Sequence, residues 1–320
     1  MSVAATMPRF LEMERKYGSL IRGMRASRRT QASGPQKHGG ARYSQFMTLR
    51  GGMSRLIDAP RDSLPAESVH LNTPITKLTR THRGWCLEDR GGRRRVADAV
   101  VIASPARHAA PMLRRLDPRL ADQLASIEYA SCAVVSLAFR RDQIKAPLNA
   151  FGFVVPHVER RFILSCSFSS EKYEGRAPGD TVLMRVFIGG AMQQSLLRMP
   201  DEQLLELAHW EVADLLDIDG DPIMRHLTRQ LHAMPQYHVG HTRRIAEITE
   251  RLDAHPTLAL AGSSLTGVGV PGCIASGKQA AARVLAGLHQ STPTPPTTMS
   301  SRPPSPPSLS PPSNARVVSP

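Results

Sequence analysis

Aromatic side chains are scarce in this sequence: Phe, Trp and Tyr together make up 5% of its 320 residues. Stacking platforms that hold single-stranded nucleic acid need several such rings close together, so that class has little support. Cysteine is scarcer still. The four thiols, Cys86, Cys132, Cys166 and Cys273, are far apart and form no CxxC pair. That spacing speaks against a zinc site and a disulfide framework, and predicts reduced thiols in a cytoplasmic setting. No apolar run reaches membrane-spanning length, and no charged segment followed by an apolar one opens the chain, so neither a spanning helix nor a secretory signal is expected. Acidic residues are the minority of the charges, 27 against 41 Lys and Arg, for a net +14. The basic residues gather at positions 22–42 and at Arg93, Arg94 and Arg95. No recognition module accompanies them, so nucleic acid is not an expected partner. A weak pull toward anionic lipid, or toward a substrate with carboxylates, fits the charge better.

What is present suffices for a folded protein, since 41% of the residues are hydrophobic. Phe10, Met13, Tyr17, Leu20, Ile21 and Met24 recur at helical spacing and predict one helix over 8–24 with its apolar face in the core. A polar, basic loop follows over 25–42. Gly51 and Gly52 stand where a strand gives way to a helix carrying Met53, Leu56 and Ile57. From residue 69 the pattern becomes that of a β-meander, with turns at 82–84 and 90–92, feeding a buried strand at 97–103 that Ser104 and Pro105 end. Helices are predicted at 105–116 and 118–127. Strands at 130–139, 149–156, 162–168 and 181–188, joined by short turns, suggest an antiparallel sheet. A helix at 201–216, a half-exposed strand at 224–232 and a helix at 245–252 come next. His238 and His241 flank Gly240, but no third ligand has matching spacing, so no metal is expected.

Residues 258–285 read LALAGSSLTGVGVPGCIASGKQAAARVL. This is a short apolar strand, a glycine-rich turn and a helix over 274–285. Such a turn leaves free N–H groups at the helix start, suited to a phosphate or an electron-rich ring edge. Past Gly287 the chain is rich in Pro, Ser and Thr and is predicted to be disordered.

The order of residues in AGSSLTGVGVPGCIASGKQAA resembles the C-terminal flavin-binding segment of protoporphyrinogen oxidases. LRGGM at 49–53 and PQY at 235–237 resemble further elements of that family. The likeness runs collinearly from about residue 8 to 287 and matches the C-terminal three-fifths of a member. The fold it implies is mixed α/β and α+β: an incomplete, Rossmann-like FAD-binding domain plus a substrate domain with an antiparallel sheet and helices. The boundaries expected on this basis are 1–50 for a helical part of the substrate domain, 51–110 for a segment of the FAD domain, 111–238 for the substrate domain, 239–288 for the last FAD-binding segment, and 289–320 for the tail.

By the same resemblance the cofactor is FAD, held by Ile75, Ala103, Gly262, Gly267, Val268, Gly269, Val270, Cys273 and Ile274. The tetrapyrrole pocket would be lined by Phe151, Gly152, Phe153, Val154 and Phe187. The implied activity is oxidation of protoporphyrinogen IX or coproporphyrinogen III in haem biosynthesis, with molecular oxygen as acceptor. The flavin carries the redox chemistry, and no side chain stands out as acid, base or nucleophile. The strand and Gly-x-Gly-x-x-Gly turn that open complete members are not found, and Pro271-Gly272 replaces an acidic or amide residue common before Cys-Ile. Two other classes therefore remain: another FAD oxidoreductase of the amine oxidase and desaturase superfamily, or a non-catalytic fragment that pairs with a separate N-terminal half. Peripheral contact with a membrane is a further expectation.

Overall fold

The computed structural model describes residues 1–32 and 47–291. Of the basic loop expected over 25–42, residues 25–32 are helical instead and 33–42 lie outside the described residues, as do residues 292–320 of the expected tail. The chain opens with helices α1 (Val3–Thr6), α2 (Pro8–Tyr17) and α3 (Leu20–Ala32). The single helix expected over 8–24 is broken at Gly18, whose φ of 67° ends α2 in a left-handed cap. Its apolar stripe is not core. Only Met13 is buried, while Phe10, Leu20, Ile21 and Met24 remain exposed. Among the described residues no strand precedes the Gly51-Gly52 turn, where both glycines have positive φ, and α4 (Arg55–Asp62) starts three residues beyond it.

Strands β1 (Ile75–Thr81), β2 (Gly84–Asp89) and β3 (Arg94–Ala97) form the expected meander, with Leu78 opposite Leu87 and Cys86 opposite Val96. Strand β4 (Val100–Ile102) leads into α5 (Ala106–Leu113) and α6 (Pro118–Ala125). Asp117 caps α6: its carboxylate accepts from the Leu120 N–H at 3.0 Å and from Arg251 of a later helix at 2.9 Å. Burial works to raise its pKa, but these partners outweigh it and hold the carboxyl below the ordinary 3.8. A group depressed in this way stabilises the fold above pH 3.8 and loses that contribution as pH falls through the folded value. Asp117→Ala is expected to cost about 2 kcal/mol at pH 7, measured as a lower urea midpoint, with the difference from wild type shrinking as pH falls below 3.8.

The larger sheet follows, with strands β5 (Tyr129–Arg140), β6 (Gly152–Val154) and β7 (Ile163–Phe168), a short helix α7 (Ser169–Lys172), β8 (Thr181–Gly189), α8 (Asp201–Leu216) and β9 (Met224–Pro235). The order is β6-β7-β8-β5-β9, antiparallel throughout. Of the expected strand over 149–156, only three residues pair. Alternate residues of β5 and β8, among them Val135, Leu137, Met184 and Val186, pack with Leu204, Ala208 and Val212 of α8 in one core. The other alternation, with Val134, Ser136, Arg185 and Phe187, lies on the face turned away from α8.

The chain ends with α9 (His241–Asp253), β10 (Leu258–Leu260) and α10 (Val270–Ser291). β10 pairs parallel with β4, Leu258 opposite Val100 and Leu260 opposite Ile102. A second core joins this pair to α5, α6 and α9 around Trp85, Leu113 and Ile248. α10 is longer at both ends than the sequence suggests. Pro271 is tolerated in the first turn, where its missing N–H costs nothing. Gly287 lies within the helix, because a Cβ there would come 2.3 Å from the Pro256 carbonyl oxygen and only glycine lets the helix pack so closely.

Candidate functional site

β4 and β10 run parallel, so the turns that follow them emerge at the same carboxyl edge. In open α/β sheets that edge is where ligands sit. The two turns are tied together. The Ala106 N–H, at the start of α5, donates to Tyr129 Oη at 2.8 Å and to Ser264 Oγ at 3.1 Å. Those two hydroxyls are themselves 2.7 Å apart. Gly262, at φ 117°, brings its backbone near the Ala103 carbonyl and donates its N–H to Ser276 Oγ at 3.0 Å. Below the turn, Tyr237 Oη donates to the Ser263 carbonyl at 2.5 Å, and its ring stacks on His241 with centroids 4.0 Å apart. Burial pushes the Tyr237 hydroxyl up to about 12, so it remains a donor.

His241 fixes the far end of the same turn. Its Nε2 lies 2.9 Å from the Leu265 carbonyl oxygen. A carbonyl only accepts, so Nε2 carries the proton and Nδ1 presents a lone pair. That Nδ1 is buried and has no partner. Burial holds the imidazole below its usual 6.5. The glycine turn is therefore positioned by Tyr129 of β5, Tyr237 of the β9–α9 connection, His241 of α9 and Ser276 of α10. Sequence reading missed these roles. The PQY element marks Tyr237, but only tertiary structure shows that a ring at 237 and a histidine at 241 support residues 263–265.

Beyond the turn, Gly267 and Gly272 cross closely: a Cβ on Gly272 would lie 2.9 Å from the Gly267 carbonyl oxygen. Val268, Val270 and Ile274 stand exposed at the start of α10, with Cys273 half-buried among them. On the other side of Ala103 a cleft of about 690 Å³ is lined by Ile75, Thr76, Arg90, Ala103, Ser104 and His108 among others. The Ser104 hydroxyl in its wall is buried without a hydrogen-bond partner. Of the residues expected to meet the cofactor, Ile75 and Ala103 share this cleft and Gly262 adjoins it. Gly267, Val268, Gly269, Val270, Cys273 and Ile274 form a separate exposed surface at the head of α10. A long ligand with a polar and an apolar part suits this arrangement: an orphaned hydroxyl and an arginine in the cleft, a close backbone approach at Gly262, and free N–H groups with apolar side chains at α10.

The residues expected to line a tetrapyrrole pocket lie on the larger sheet. Gly152 is on β6 at φ 139°, with Ser167 opposite. Val154 is opposite Ser165, which in turn faces Phe187 on β8. These three lie on the face turned away from α8. Phe153 points the other way: it packs on the core beneath the sheet and meets the Phe168 ring edge-on at 6.0 Å. Phe151 precedes the strand and is exposed. Among the described residues no cluster of His, Cys, Asp and Glu is arranged to hold a metal. The Cys166 thiol, pushed up to about 12 by burial, is a packing residue.

A parallel strand pair with both following turns at one carboxyl edge is joined to an antiparallel sheet backed by α8, a mixed helix and sheet architecture. The profile of the family described as flavin containing amine oxidoreductase matches residues 1–285, and the chain belongs to that family. Its cofactor is accordingly a flavin. The coproporphyrinogen III oxidase of Bacillus subtilis (strain 168) is 33% identical over 286 residues, covering 89% of this chain and 60% of its own length. That of Propionibacterium freudenreichii is 38% identical over 260 residues, covering 80% and 48%. A solved structure from Exiguobacterium sp. 255-15, assigned as a protoporphyrinogen oxidase, superposes with a TM-score of 0.74 at 27% identity and covers 91% of this chain and 60% of that one. The chain thus spans about half to three-fifths of the length of these relatives.

Proposed function

We propose that this chain forms the substrate sheet and part of the flavin cleft of an FAD-dependent porphyrinogen oxidase acting in haem synthesis. The observation that carries the reading is the stapled pair of turns at the carboxyl edge of β4 and β10, in a chain whose larger sheet bears Gly152, Val154 and Phe187 on the face turned away from α8. Bound FAD would supply the acceptor for the hydrogens of a porphyrinogen, with molecular oxygen as the final oxidant. This chain's residues bind and orient. Ile75, Ala103 and Ser104 would receive one end of the cofactor, and Gly262 to Ile274 the other. Tyr129, Tyr237, His241 and Ser276 hold the turn in place. The half-buried Phe187 and exposed Val154 offer the apolar surface a macrocycle needs.

A second reading concerns completeness. The parallel sheet has two strands among the described residues, and Val101 of β4, in the cleft wall, is 40% exposed. A flavin held here is open on one side. A separate N-terminal half, equivalent to the part of the relatives not covered, would close it. The four free cysteines accord with a reducing cytoplasm. No helix among the described residues is long and apolar enough to cross a membrane. Exposed Ile21 and Met24 beside Arg22 and Arg25 on α3 support peripheral contact with an anionic lipid surface.

The test is aerobic oxidation of coproporphyrinogen III, followed by porphyrin fluorescence, with the chain alone and with an added N-terminal half in the presence of FAD. Flavin-dependent fluorescence above the autoxidation rate is the expected result in the combined sample. Flavin binding without porphyrin formation would direct the search to other substrates of the amine oxidoreductase family.

A further inference from the structure

Near one end of the larger sheet, β9 runs ahead of its partner. Ala130 pairs with Met234 and Cys132 with Gln230, so Leu231, His232 and Ala233 together oppose Ser131. The surplus forms a bulge. His232 stands in it at φ 48°, a left-handed conformation that is strained for a residue with a Cβ. Among the described residues Asn72, Arg160 and Asp217 share a positive φ, but Asn72 lies in a turn and the other two close helices. His232 alone of these four is inside a strand. Such strain persists only where the surroundings over-determine it. Here side chains take both backbone groups: the His232 N–H donates to Ser131 Oγ at 2.8 Å, and its carbonyl accepts from Arg107 Nη1.

Arg107 comes from α5, on the other side of the molecule's two cores. Its guanidinium carbon lies 5.0 Å from the centroid of the Tyr129 ring. The Tyr129 hydroxyl is in turn the centre of the staple between the two turns, 2.8 Å from the Ala106 nitrogen and 2.7 Å from Ser264 Oγ. One side chain thus meets the strained bulge of the sheet with its edge and the tyrosine of the turns with its face. A planar guanidinium can make both contacts at once, and each fixes the plane required by the other. The contacts run Ser131, His232, Arg107, Tyr129, Ser264, from the sheet to the turn after β10.

We propose that Arg107 is a positioning residue that locks the β9 bulge and the turn after β10 into one register, and so holds the flavin turns through Tyr129. This rests on the flavin reading above and adds to it a residue, Arg107, and an anchor, His232, neither of which lines the cleft. A change at Ser131, on the far side of the bulge, is then felt at the Ala106 N–H only while Arg107 is in place.

The experiment is residue-resolved amide hydrogen exchange on the chain without flavin. The proteins are wild type, Arg107→Ala, Ser131→Ala, the double variant and Arg114→Ala, whose arginine is paired with Asp122. Arg107→Ala is expected to speed exchange at both Ala106 and His232 about three- to tenfold, while amides in the middle of β5 and β8 keep the wild-type rate. Ser131→Ala speeds Ala106 by a similar factor, and the double variant exchanges there no faster than Arg107→Ala. Arg114→Ala exchanges as wild type does. The second readout is flavin retention by the chain mixed with the N-terminal half of a relative, expected to fall by about the same factor in Arg107→Ala. Unchanged exchange at Ala106 in Arg107→Ala, a rise confined to His232, or additive effects in the double variant overturns the inference. Equal flavin retention by Arg107→Ala and wild type overturns it too, and leaves the flavin reading standing. A wild-type mixture that retains no flavin contradicts the flavin reading instead, and exchange in the flavin-free chain still decides whether Arg107 joins the bulge to the turn.

Discussion

Gly152→Ala is expected to lower stability by about 3–5 kcal/mol. Two independent costs combine there. The backbone is at φ 139°, which L side chains rarely adopt, and a Cβ would sit 2.2 Å from the Cys166 carbonyl oxygen. Neither is relieved by a side-chain rotation, since both clashing partners are backbone. The strand must shift, which uncouples β6 from β7 and carries Val154 away from Phe187. The measurement is the urea midpoint with the slope checked for constancy. At a position with ordinary φ the same substitution would stabilise by roughly 0.4–1 kcal/mol, so even the sign is informative. A change below about 1 kcal/mol would mean that β6 is not held in this register.

Gly272→Val is expected to leave the fold intact and to weaken flavin retention by about 10–100-fold in the assembled protein. The substituted side chain would meet the Gly267 carbonyl oxygen at 2.9 Å. The turn then opens, at a cost of the order of 1–3 kcal/mol for overpacking, and the N–H groups at the start of α10 lose their alignment. The loss of stability should stay within that range, because Val268, Val270 and Ile274 around it are already exposed and contribute little core. Flavin fluorescence in the filtrate after dilution reads the affinity. Equal retention by the variant and wild type would remove the α10 turn from the cofactor site.

How far the sequence discloses this molecule depends on the range of the interaction. Asp201–Leu216 is helical over the span its apolar periodicity marks, and the β1–β2–β3 meander follows its turn residues. Both are set by local pattern. The parallel pairing of β4 with β10 is not local, and three residues in each strand give no register signal; only the resemblance placed them in one site. The stripe from Phe10 to Met24 reads as core by periodicity yet is exposed, because periodicity marks an apolar face without saying what covers it. Phe153 shows the same limit in a strand. Alternation separates it from Gly152 and Val154, but which side faces α8 is settled by packing. The helix expected to end at 285 runs on through Gly287, a packing glycine, since the Pro256 carbonyl it accommodates lies in another segment. The glycine turn itself was legible; its supports, Tyr129 and His241, were not, because a stabilising ring far away in sequence leaves no local trace.

The central claim is that this chain carries part of a flavin cleft. It is tested most directly by visible absorbance of the purified protein after incubation with FAD and desalting, for the chain alone and for the chain mixed with an N-terminal half from a relative. The expected result is little retained flavin for the chain alone and close to one flavin per chain for the mixture. A colourless product in both samples would contradict the account.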